Sequence, residues 1–169
     1  MRSGIYDAAA SLRFAQRDFV QSQKLAEKSL ELFSQAGRPS YELGSRNRML
    51  SIAVAYAGQG KWQQAQQMID RIDQTYPQRL PLDKVPYPFE RAYIALGLGK
   101  NTEAATLFER TVQYNQGVYG ENHFFTAQSR GLQGVALWRA DKTDVALPLL
   151  ESAVNDLVNP VNAEYLDSF

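Results

Sequence analysis

Apolar residues recur along this chain at three- and four-residue spacing, in stretches closed by glycine, proline or polar pairs. That spacing puts them on one face of a helix. No stretch alternates apolar with polar residues in the manner of a half-buried strand. The pattern predicts eight helices, over about 5–16, 19–36, 41–58, 62–75, 87–98, 102–115, 123–139 and 144–158. A short segment from about 162 reads as the start of a ninth. Pro77, Pro81 and Pro86 forbid a helix in the longest connection, 76–86. Pro148 falls inside the eighth helix, past the turn where a missing N–H is free, so a local kink and a lost hydrogen bond are expected there.

The pattern also repeats. Gly60-Lys61-Trp62-Gln63-Gln64-Ala65 is followed by Ile69 and Ile72, and Gly99-Lys100-Asn101-Thr102-Glu103-Ala104 by Phe108 and Thr111. Asp141-Lys142-Thr143-Asp144-Val145-Ala146 precedes Leu150 and Ala153, and a weaker copy, Arg17-Asp18-Phe19-Val20-Gln21-Ser22, precedes Ala26 and Ser29. The turns at 17, 60, 99 and 141 are separated by 43, 39 and 42 residues. Each period holds two helices of about 11–12 residues with their connections. Ala65, Ala104 and Ala146 are small enough to let two helices approach, and the apolar residue four places on lies on the same face. Gly60 and Gly99 suit the left-handed conformation that stops a helix. Asn101, Thr102 and Thr143 are expected to cap the helices that follow. The expected architecture is all-α: about four helical hairpins, 5–36, 41–75, 87–115 and 123–158, in a single domain spanning 1–169.

Composition narrows the chemistry. Lys plus Arg and Asp plus Glu each number 18, for a formal net charge of zero, so no broad basic field favours nucleic acid or anionic membrane. The absence of cysteine removes disulfides, thiolate metal sites and cysteine nucleophiles together, and fits a reducing cytoplasm. No run reaches the about 18 apolar residues of a membrane span, and no apolar signal core follows Met1-Arg2-Ser3-Gly4. His123, the one histidine, lacks the nucleophile, orienting group or co-ligands that catalysis or metal binding needs, and reads as a turn or capping residue. Gly97-Leu98-Gly99-Lys100-Asn101 lacks phosphate-loop spacing and follows a helix, so it reads as a helix-ending turn. Asp70 and Asp73 share a solvated helix face with Arg71 and Lys61 nearby. Trp62 is expected in the core; the register of Trp138 points towards an inner groove, with the core as the alternative. These readings predict no catalytic residue, no metal and no cofactor.

The repeated phrases resemble tetratricopeptide repeats, which pair a large-small-x-x-aromatic pattern in the first helix with Ala-x-x-x-Phe in the second and then a proline. Ile52-Ala53-x-x-Tyr56, Ala65-x-x-x-Ile69 and Pro77 carry the likeness in the second copy, and Ala104-x-x-x-Phe108 in the third. Gly134, Leu137, Ala146 and Leu150 carry it in the fourth. The first helix of the third copy fits poorly, and the first copy has Ser22 and Ala26 where stronger signals are expected. The run from Tyr119-Gly120-Glu121-Asn122-His123-Phe124-Phe125-Thr126-Ala127 to Gly131-Leu132-Gln133-Gly134-Val135-Ala136-Leu137 is similar to the long-period repeats of kinesin light chains. It is also similar to repeats of bacterial proteins that carry a CHAT, caspase-like protease domain. There the repeats precede the protease, so the resemblance implies an arm of a longer protein whose pattern continues near Glu164-Tyr165-Leu166. No peptidase activity carries over, because the family's His–Cys pair is missing.

The resemblance implies an α-solenoid whose first helices line a concave face. Counted from Ala53, Ala92 and Gly134, the groove positions are Asn47, Leu50, Val54, Phe89, Tyr93, Gln128, Val135 and Trp138, with Arg139 beside them. Their apolar, aromatic and amide character suits an extended peptide or a helix. The family's carboxylate clamp is not expected, since Val54 stands where its asparagine would be. The expected function is a cytoplasmic, non-enzymatic scaffold that binds a protein or peptide. A self-associating scaffold and a peptide or small-ligand sensor are the alternatives.

Overall fold

The computed structural model describes residues 2–36, 41–76 and 87–158. Among them are eight helices and no strand: α1 (Arg2–Ala15), α2 (Phe19–Gln35), α3 (Tyr41–Gly58), α4 (Trp62–Thr75), α5 (Pro88–Gly97), α6 (Asn101–Tyr119), α7 (Phe124–Arg139) and α8 (Thr143–Leu157). The fold is an all-α, tetratricopeptide-like helical repeat. The expected proline-rich connection, 77–86, and the ninth segment lie outside the described residues. Two compact units divide the chain, Met1–Lys84 with α1 to α4 and Val85–Phe169 with α5 to α8. Within each, every helix packs on the next in sequence.

The four turns share one backbone solution. Arg17, Gly60, Gly99 and Asp141 all have positive φ, at 59°, 71°, 76° and 59°. Each is followed by a residue whose N–H reaches back five positions: Asp18 to the Arg13 carbonyl, Lys61 to Tyr56, Lys100 to Ala95 and Lys142 to Leu137, at 2.9–3.0 Å. The positive-φ residue itself donates to the carbonyl three positions back. This nested pair satisfies carbonyls that the helix end leaves without partners. The residue that closes one helix then opens the next, as the N-cap of α2, α4, α6 and α8.

That economy displaces the caps expected from the sequence. Lys61, Lys100 and Lys142 hold the N-cap positions of α4, α6 and α8 and make no side-chain capping bond; Asn101 and Thr143 already lie inside their helices, and so does Thr102. Of these four N-caps, Asp18 alone caps by its side chain, accepting from the Gln21 N–H at 3.1 Å. Asn101 instead donates its amide to the Arg139 carbonyl at 2.9 Å, tying the start of α6 to the end of α7. α8 runs as one helix through Pro148, which is exposed.

Packing follows the repeat. The small residues Ala65, Ala104 and Ala146 are completely buried, as are Ile69 and Phe108 four places on, within 1%. Seven residues before the turns stand Ala10, Ala53, Ala92 and Gly134, all buried. There the first helix of each hairpin meets the second. In the first copy Ser22 takes the alanine position, and its hydroxyl donates to the Ala10 carbonyl at 2.9 Å, so a polar atom is buried without loss. Each fully buried Ile or Phe contributes about 1.5–3 kcal/mol relative to exposure. Trp62, expected in the core, is half-buried, because it opens α4 at the hairpin edge.

Candidate functional site

In the second unit, faces of α5, α6 and α7 converge on a cleft of about 350 Å³. The start of α5 supplies Pro88, Phe89 and Glu90. From α6 come Thr111, Tyr114, Asn115 and Tyr119, at the spacing of a single helix face. Phe125, Gln128 and Ser129 complete it from the first turns of α7.

Local sequence places each wall. Tyr87 takes the left-handed conformation (φ 54°, ψ 52°) and caps α5, and Pro88 at the first helical position needs no N–H partner. Phe89 meets Phe108 edge-on, with centroids 5.9 Å apart, and lies parallel to Tyr93 at 6.5 Å. The buried phenyl ring of Phe108 thereby fixes the first turn of α5 against α6. On the opposite side, Asn115 donates its amide to the Phe125 carbonyl at 3.0 Å and to the Ser129 hydroxyl at 3.1 Å. Ser129 in turn donates to the Phe125 carbonyl at 2.8 Å. This buried network locks α6 to α7 beneath the cleft and specifies their register.

His123 holds a wall of the cleft in place. It caps α7, its Nδ1 accepting from the Phe125 N–H at 3.3 Å, and its ring stacks on Tyr119 at 4.9 Å. The capping role read from the sequence is therefore what the structure shows, and it positions a wall of the cleft. Arg130, buried among α7, α8 and the connection before α7, pairs with Glu121 and, at 2.5 Å, with Asp156, and also donates to the Ser152 hydroxyl at 2.9 Å. A buried guanidinium needs this many partners to offset desolvation.

Glu90 is the carboxylate of the cleft. Burial raises its pKa above the usual glutamate range, outweighing the bond from its own backbone N–H and the nearby Arg91, which both lower it. Among the described residues it forms no ion pair.

The nine sequence-predicted groove residues divide between the units; Val135, half-buried on α7, packs against the buried core of the second. Asn47, Leu50 and Val54 lie on α3 of the first, Asn47 exposed and the other two half-buried. Phe89 and Gln128 line the cleft, and Tyr93 stacks beside it. Trp138 and Arg139, both exposed, end α7, about ten residues or 15 Å along the helix from Gln128. Trp138 is thus a surface residue, 57% exposed, and not part of the core. Sequence reasoning missed Glu90, Tyr114, Asn115, Tyr119 and Phe125. It assigned the groove to first helices alone, whereas a second helix, α6, contributes four residues here. A cue was present: Asn115 is polar at a position that the periodicity of α6 buries.

The cleft contains no nucleophile–base pair, and no three His, Cys, Asp or Glu among the described residues gather to hold a metal.

Residues 89–156 match the model of the tetratricopeptide repeat family. The match runs from the first turn of α5 into α8, so it is the second unit that resembles this family. Repeats of this family generally mediate protein–protein interaction. No curated protein and no solved structure matches the chain. No helix among the described residues is long and apolar enough to cross a membrane.

Proposed function

We propose that this protein is an interaction module that docks a peptide segment of a partner protein in the cleft between α5, α6 and α7. One observation carries the reading: a concave site walled by four aromatic rings, with amides at its edge and a hydrogen-bonded base. Aromatic side chains in concave pockets dominate the energetics of protein recognition. At about 350 Å³ the cleft is near the small end of ligand pockets, and takes one or two side chains with the partner's backbone passing over them. The resemblance of residues 119–137 to repeats preceding CHAT domains favours an arm of a larger assembly.

A random peptide library selected on the chain tests this. Selected peptides are expected to lose about tenfold or more in affinity with Tyr114→Ala or Tyr93→Ala, measured by calorimetry, while the melting temperature stays within a few degrees. Tyr114 is 62% and Tyr93 38% exposed, so neither ring is a core element. Affinity indifferent to both substitutions would reject the cleft as the docking surface. A second reading, self-association, has its own observation: Leu147, Val154 and Val158 form one exposed apolar face of α8, at 50–69% exposure. Light scattering that shows mass rising with concentration would favour it.

A further inference from the structure

The chemistry of the cleft narrows its occupant, provided the cleft is the docking surface argued above. We propose that the partner enters with a lysine or arginine side chain, its cation facing Glu90 and its methylene stem lying against Phe89, Tyr114, Tyr119 and Phe125. Three occupants are compared on charge. An acidic side chain would place like charges together in a partly buried site and be repelled. A purely apolar side chain would fill the space between the rings but leave the Glu90 carboxylate further desolvated without a partner. A cation answers both walls at once. Aromatic faces attract cations, more strongly where water is displaced, and the carboxylate supplies the counter-charge.

The position of Glu90 strengthens the point. It sits in the first turn of α5, where the helix dipole and the bond from its own backbone N–H favour negative charge. Burial nonetheless works against the ionised form, and the nearby Arg91 offsets that only in part. An incoming cation would add a counter-charge at that place. The long stems of lysine and arginine also suit apolar walls with a charged end. Gln128 and the oxygen of Asn115 remain for the partner's backbone, since the Asn115 amide nitrogen is committed to Phe125 and Ser129.

The test uses peptides selected from a random library on the full chain, each synthesised twice, with its lysine or arginine kept and replaced by glutamine. On the native chain the replacement is expected to weaken binding about tenfold or more. On Glu90→Gln the two peptides should bind within about twofold of each other, and circular dichroism should show the variant folded. Equal loss on both proteins would place the cation elsewhere and overturn the proposal. Peptides that depend on Tyr114 but carry no lysine or arginine would overturn it while leaving the cleft reading intact. If no selected peptide depends on Tyr114, the cleft reading falls and this inference falls with it. Glu90→Lys gives an independent arm: it should reject the cationic peptide, and unchanged affinity would again contradict the assignment.

Discussion

At the scale of single residues, small side chains decide how closely helices meet. Gly134 is the clearest case. A methyl group there would lie 2.7 Å from Leu150 Cγ and 3.2 Å from the Ala146 carbonyl oxygen. Alanine improves helix propensity by about 1 kcal/mol, whereas overpacking a tight contact costs about 1–3 kcal/mol. Because a backbone atom is among the contacts and cannot rotate away, the second effect should win. Gly134→Ala is therefore expected to lower stability by up to about 2 kcal/mol in urea unfolding; an unchanged or higher midpoint would show that α7 and α8 can separate at little cost. The small positions Ala65, Ala104 and Ala146 were legible from sequence because they recur at fixed distance after each turn. Ala10 was not, since its hairpin places serine opposite it at 22, and a hydroxyl that bonds to a carbonyl cannot be distinguished from a surface serine by pattern alone. Arg130 was equally hidden: one arginine among many, buried only because Glu121, Ser152 and Asp156 surround it in three dimensions.

At the scale of elements, all eight helices were readable, most ends within about two residues. The exceptions are α1, which begins three residues early at Arg2, and α6, expected to end near 115 but extending to Tyr119. The last turn of α6 carries exposed Val118 and Tyr119, so the apolar periodicity fades before the helix does. That extra turn is also what brings Tyr119 to the cleft. The turn positions 17, 60, 99 and 141 were found by repetition, and in the structure they are the left-handed positions, glycine at two of them. No atom lies within 4 Å of a methyl group built on Gly99, so a side chain there meets only conformational cost. Gly99→Val should then destabilise the chain by about 1–2 kcal/mol, and Gly99→Asn by less, since asparagine tolerates this region. Equal costs by thermal unfolding would indicate that something other than backbone conformation is at stake. The capping expectations for Asn101, Thr102 and Thr143 failed for a related reason. The nested bonds of each turn make the residue after it the N-cap, and this backbone geometry overrides the usual preference for Asn and Thr there.

At the scale of the whole molecule, periodicity establishes an all-α helical repeat, and the family match to residues 89–156 agrees with it. The candidate site was less accessible. Phe89 and Gln128 were reached by counting along first helices, but the cleft depends on how α6 closes the space between α5 and α7, a distance in space that no spacing in sequence encodes. The measurement that bears most directly on the account is the footprint of a selected peptide on the ¹H–¹⁵N spectrum of the full chain. The largest shifts are expected at Phe89, Glu90, Tyr114, Asn115, Tyr119 and Gln128. Shifts confined to α1 to α4, or to the outward face of α8 around Leu147 and Val154, would contradict it.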